Sequence, residues 1–425
     1  MSAPSASPIQ IAGALILALA LAHSFSVKLF ERMARRSRRH AGVFHLLAEV
    51  EVVFGFWAGV LVLAIAALDG GQAALDYAES RTYTEPLFVL VVMVIAASRP
   101  IVQAVNALVD AVSRRSKAPA LAAAWIGLTF VPLLGSVVTE PAAMTIAALV
   151  LAPRVFRPEV PERLKYLALG VLFVNVSIGG TLSAFAAPPV LMVAKTWGWT
   201  SHYMLLNFGW KAALAVFANG TLAAWCLRSS LSGGAPSLGS HGSAAQAGRV
   251  PLAVVLAHFG FLAAVILMAH HLVAFVGIFL LFLGFTQAYE RFQSPLILRE
   301  ALLVAFFLAG LVVLGGLQQW WLQPVLSSLS PGSIFVGATA LTAVTDNAAL
   351  TYLGSQIAGL SIEARHGLMA GAVVGGGLTV IANAPNPAGG ALLRKGFAEE
   401  TIGAGGLFMG ALVPTLVAGA ALYGL

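Results

Sequence analysis

Apolar runs of about twenty residues, the length that spans a bilayer core, alternate with short polar breaks along most of this chain. The first run, 9–27, ends in Lys28, Arg32, Arg35, Arg36, Arg38 and Arg39. Basic residues concentrate on the cytoplasmic side, so this run is expected to be a retained first helix with its N-terminus outside. A second run, 41–68, returns to a loop, 69–85, that holds Asp69, Asp76 and Glu79. A third begins near Pro86 and ends at Arg99-Pro100. The stretch that follows carries Ile101, Val102, Val105, Leu108, Val109 and Val112 on one side, and should lie along the interface or extend the third helix. The run 118–152 is basic at both ends and broken by Pro132, Gly135 and Pro141, the pattern of a re-entrant hairpin. Its non-helical tip must sit inside protein or beside water. The run 166–199 contains Gly179-Gly180 and Pro188-Pro189, which should break the helix mid-membrane. Then 203–227 crosses back, and the Gly/Ser/Ala-rich segment 229–249 reads as a flexible linker.

The second half follows the same order. Runs 250–269, 272–289 and 301–317 cross, and Trp320-Trp321 suits an interfacial belt. A hairpin is expected over 332–360, a broken helix over 365–393 with its break at Gly375–Pro387, and a last crossing over 402–425. Charge placement starts the first half outside and the second inside. The expected fold is therefore an all-α polytopic membrane protein of two inverted repeats. Each repeat has five transmembrane helices, one broken mid-membrane, plus a re-entrant hairpin. Residues 1–228 form the first repeat, 229–249 a cytoplasmic linker and 250–425 the second, with both termini outside.

The halves also match letter by letter. Ser136-Val137-Val138-Thr139-Glu140-Pro141-Ala142-Ala143-Met144-Thr145 aligns with Thr342-Ala343-Val344-Thr345-Asp346-Asn347-Ala348-Ala349-Leu350-Thr351. At the breaks, Gly179, Gly180, Ala187 and Pro188 align with Gly376, Gly377, Ala384 and Pro385. Each tip places one carboxylate beside a threonine at membrane depth, where a charge is costly and marks function. Inverted repeats with paired broken segments point to a secondary transporter whose site lies near the midplane.

Composition narrows the class further. The chain is 59% hydrophobic and 10% charged, whereas a water-soluble domain carries roughly a quarter charged residues. Its net charge of +7 comes mostly from lysines and arginines between apolar runs, where they set topology rather than bind nucleic acid. One cysteine, Cys226, excludes an internal disulfide and a multi-thiolate metal site. The Gly-rich strings lie within apolar helices and lack the Lys of a phosphate loop. No His-Glu-x-x-His, protease-type aspartate pair or nucleophile–base set suggests a membrane-embedded enzyme.

Carbonyls at helix breaks, with Thr, Ser and Asn oxygens, suit a hard cation such as sodium. Glu140 and Asp346 can each hold a cation or a proton, and competition at one site is the simplest antiport mechanism. Thr139, Thr345, Asn347, Thr181, Ser183, Asn383 and Asn386 are the candidate neutral ligands. Two bland readings compete: Glu140 could pair with a buried base such as Lys211, and Asp346 could simply cap a helix. Glu49 and Glu51 lie near the cytoplasmic boundary, where they should pair with basic residues. With Lys211 they are secondary proton-path candidates. No cofactor or metal is expected beyond the transported ion.

These tips and breaks resemble the ion transporter superfamily, and most closely its sodium/proton antiporter family. The dicarboxylate symporters of the superfamily carry Ser-Asn-Thr at their hairpin tips; here both tips carry Thr-acid. The Asp346-Asn347 pair is similar to one seen in sodium/proton antiporters of the superfamily. The resemblance implies a homodimer in a bacterial cytoplasmic membrane, with a scaffold made from the early helices of each half. The hairpins, broken helices and last helices would form a transport domain that moves as an elevator. The function expected is exchange of a monovalent cation, sodium first, for protons. A sodium-coupled symporter of a small solute is the alternative, and a passive channel is a third reading.

Overall fold

A computed structural model describes residues 6–37, 39–231 and 250–425, and among these every regular element is a helix. The linker expected at 229–249 falls outside the described residues apart from 229–231, which end a helix. Helix α1 (Pro8–Phe25) starts at a capping box made by Ser7 and Gln10. It is followed by α2 (Val27–Arg36) through the basic cluster. The run expected at 41–68 is two helices, α3 (Ala41–Leu47) and α4 (Val50–Asp69). They part at Glu49, which is extended and whose carboxylate pairs with Arg299.

After α5 (Gly71–Glu79) come α6 (Thr84–Ala96) and α7 (Arg99–Ser113). These two meet at a 60° bend, where Ser98 is extended and Pro100 opens the first turn of α7. The bend takes α7 out of line with α6. Ile101, Val105 and Val109 on α7 are buried, while Leu108 and Val112 face outward.

The first hairpin is α8 (Pro119–Leu128), α9 (Phe130–Val138) and α10 (Glu140–Leu151), with α10 packed back along α9 and α8. Helix α11 (Glu162–Gly179) runs to the first break. A 3-10 turn (Gly180–Leu182) and irregular chain lead from it into α12 (Pro188–Trp197). Gly198 ends α12 in the left-handed region, where glycine has no steric cost. Next are α13 (Ser201–Met204) and α14 (Trp210–Leu231), joined by a π-helical turn.

The second half contains α15 (Leu252–Leu267), α16 (Leu272–Ala288), α17 (Leu298–Gly315) and α18 (Gln319–Ser327). Its tip is formed by α19 (Pro331–Thr342) and α20 (Asn347–Ser355). Unlike α9 and α10, these two make little contact with each other; α19 lies along α21 (Ile362–Gly375), and α20 lies mainly on α12. The second break, Gly376–Pro385, leads to α22 (Asn386–Leu393), and α23 (Ala404–Gly424) ends the chain.

Among the described residues, four helical segments are long and apolar enough to cross a bilayer: most of α4, α11 with its 3-10 turn, α17 and α23. The bent pairs α6–α7 and α8–α9 raise this to six, and α1, α15 and α16 are apolar but shorter. This is a polytopic helical membrane protein.

The packing does not follow the two halves. One apolar cluster unites α1, α4, α6, α15, α16 and α17, and touches the hairpin tips through Val138, Ala142, Ala348 and Ala349. The other two clusters join α8–α12 and α14 with residues of α19–α23. Across the site the halves exchange partners, with α10 packing on α22 and α12 on α20.

Helices α11 and α23 touch backbone to backbone. A Cβ at Gly170 would strike Gly410 and Ala411, and one at Gly410 would strike the Tyr166 carbonyl. Lipid supplies no hydrophobic force to press helices together, so small residues that allow close approach carry the contact. Gly410→Leu is expected to force the pair apart at a cost of about 1–3 kcal/mol or more, read as a lower unfolding temperature in detergent.

Candidate functional site

The two hairpin tips and the two breaks bring helix ends together around Glu140. Thr139, between α9 and α10, has φ +83° and ψ 154°, a region nearly reserved for glycine and strained for a β-branched residue. This turn lets Glu140 open α10 as its first residue, with Pro141 behind it. The side chain is fully buried. Its Oε2 accepts a hydrogen bond from Asn383 Nδ2 at 2.9 Å, reaching across from the second break. Its Oε1 is buried with no hydrogen-bond partner. Gly180 of the first break lies against this oxygen; a Cβ there would come within 2.5 Å of it. The carboxylate is thus held between both breaks.

No basic residue pairs with Glu140 among the described residues. Among the described residues, Asp346 is the charged side chain whose field reaches Glu140. Asp346 is half-buried and caps α20, its Oδ1 accepting from the Ala348 and Ala349 amides at 2.8 and 3.3 Å. The capping reading therefore describes its geometry, while its nearness to Glu140 adds a second negative charge to the site.

The candidate neutral ligands divide into two sets. Thr139 Oγ1, Asn347 Oδ1, Asn383 Oδ1 and Asn386 Oδ1 are buried without partners. Oxygens in this state are costly unless something positive meets them. The amide of Asn386 braces the second break through the Gly376 and Thr379 carbonyls at 2.7 and 2.9 Å. The backbone N–H of Asn347 reaches Ala382 O at 3.1 Å. By contrast, Thr181, Ser183 and Thr345 spend their hydroxyls on the backbone. They donate to Ile178, Ser136 and Leu341 carbonyls respectively.

Of the secondary candidates, Glu49 pairs with Arg299, and Lys211 lies over the Trp210 ring. Neither approaches Glu140. The side chain of Glu51 lies outside the described residues.

Two serines that sequence reasoning passed over hold the site in shape. Ser136 Oγ donates to Gly179 O at 2.7 Å and accepts from the Leu182 amide at 2.9 Å, stitching the first tip to the first break. Ser177 Oγ donates to Val373 O at 2.7 Å and faces the Asn347 amide, so it ties α11 to the second tip. The signal for Ser136 was its alignment with Thr342; Ser177 had none.

A cleft of about 430 Å³ lies to one side, lined by Arg81, Glu85, Lys195, Tyr352 and Gln356 among others. It is bordered by residues of α6, α17, α12 and α20, and the last two helices begin at the site.

Fold and site together define a membrane protein with a buried carboxylate where two helix–turn–helix tips and two helix breaks meet. The chain belongs to the family described as "Putative Na+/H+ antiporter", which matches residues 8–425. No curated protein matches the chain.

Thr139 separates strain from ligation. Thr139→Gly relieves a backbone cost of about 1–3 kcal/mol, set against roughly 0.4–1 kcal/mol of added freedom in the unfolded chain. Thermal stability in detergent should therefore hold or rise, while sodium protection against unfolding weakens through loss of the hydroxyl.

Proposed function

We propose that this protein is a secondary active transporter that exchanges a monovalent cation, sodium first, for protons by alternating access of elevator type. The observation that carries the reading is Glu140: fully buried, without a basic partner, and with one carboxylate oxygen left free between two helix breaks. A carboxylate in that position needs a positive partner. The two that fit its size and chemistry are a proton and a desolvated hard cation. Thr139, Asn347, Asn383 and Asn386 offer oxygens for the cation, with Thr181, Ser183 and Thr345 in supporting positions. Asp346 adds negative charge that favours a cation over an anion.

The remaining architecture is proposed with it. Two inverted repeats, 1–228 and 250–425, joined by a cytoplasmic linker, would account for the exchange of partners across the site. The cluster of α1, α4, α6, α15, α16 and α17 would be the scaffold and the contact of a homodimer. The hairpins, broken helices and last helices would move against it, and the cleft along α12 and α20 lies on that boundary. The membrane would be a bacterial cytoplasmic membrane, with both termini outside.

The test is sodium-driven proton movement in proteoliposomes holding a pH dye. Wild type should respond to sodium or lithium, and Glu140→Gln should lose the response entirely. Asp346→Asn should require a higher sodium concentration, since it removes a nearby charge. Silence of wild type across cations and pH, with sodium-dependent uptake of an organic or inorganic solute, would favour symport instead.

A further inference from the structure

We infer that each cycle exchanges one cation for one proton, so that transport is electroneutral; this rests on the antiport reading above. The argument is a census of charge at the site. Glu140 is the one acidic residue fully buried among the described side chains. Asp110 pairs with Arg154 and Glu49 with Arg299, and Glu85 lines the cleft instead.

The elements packed around Glu140 bring little else that ionises. At the carboxylate the breaks bring Gly180 and Asn383, α9 carries no ionisable side chain, and α22 opens with Asn386. On α11, Lys165 is buried but donates to Gly396 O at 2.6 Å, close to the far end of that helix. Lys195 lies near the far end of α12 and lines the cleft. On α20, Tyr352 donates to Val312 O at 3.1 Å. That leaves Asp346.

Asp346 is committed differently. Its Oδ1 holds two backbone amides at the start of α20, where the positive end of the helix favours a negative charge. It acts as a fixed charge, and Glu140 as the exchanged one. On one side of the membrane the Glu140 proton passes to water and a cation takes its place. On the other side the cation leaves and a proton returns. The loaded site has the same net charge in both directions, so a membrane potential does no work on the exchange.

The experiment finds the balance point of purified full-length protein in proteoliposomes. Sodium and proton gradients are set against each other until the internal pH dye is still. The potential is clamped with potassium and valinomycin, first at zero and then at about 100 mV. The sodium ratio that balances a given proton ratio should equal it at both potentials. A second proton per sodium would move the balancing ratio about fiftyfold between them, and the inference would be overturned. Asp346→Asn should keep a voltage-independent balance point, and a voltage-dependent one would remove Asp346 from its fixed role. If neither sodium nor lithium moves protons in wild type, no balance point exists at all. That outcome sinks the antiport reading itself, and is told apart from a wrong coupling ratio by the missing response.

Discussion

A carboxylate buried without a basic partner is the constraint around which this protein is built. In a low-dielectric interior an ionised acid is expensive unless something positive meets it. Glu140 has one amide donor from Asn383 and an unpartnered second oxygen. The surrounding chain supplies the other half of that arrangement: a glycine that leaves room beside the free oxygen, and buried amide and hydroxyl oxygens with no protein donor. Such a site is poorly satisfied by protein alone, in keeping with the exchange role proposed above.

Holding this arrangement takes backbone that is irregular at depth. Irregular chain is tolerated there only inside protein or beside water, where its polar groups can find partners. Ser136, Ser183 and Thr379 provide them by bonding carbonyls and amides across the tips and breaks, and Asn386 bonds two carbonyls of its own break. At the bend between α8 and α9, Asn175 donates to Leu128 O at 2.7 Å. The strained turn at Thr139 fits the same pattern, since it starts α10 where the carboxylate has to be. Polar side chains at the site thus take two roles, repairing broken helices and leaving buried oxygens open, and Asn386 takes both.

The partition between the two groups was not legible in the chain. Thr181, Ser183 and Asn383 look alike as short polar residues inside apolar breaks. Only the fold shows that the first two turn to carbonyls while the third reaches Glu140. Asp346 and Glu140 align in the repeat and share a threonine neighbour. Even so, one is a half-buried helix cap and the other a fully buried acid. The tips differ in packing too: α9 and α10 lie together, whereas α19 and α20 separate onto different neighbours.

What the sequence determined by itself was the solvent and the punctuation. Apolar runs of bilayer length, the glycine and proline breaks, and two matching tips each bearing an acid follow from local chemistry. Local chemistry is read directly from residue order. The helix breaks at Gly180–Ala187 and Gly376–Pro385 and the turn before Glu140 fall where those signals lie. The tertiary structure alone decided which residues meet, because Asn383 and Glu140 stand far apart in the chain and the helices of the two halves trade partners. Burial, and with it the difference between an acid that caps a helix and one enclosed without a basic partner, is a property of that packing and of no single stretch of sequence.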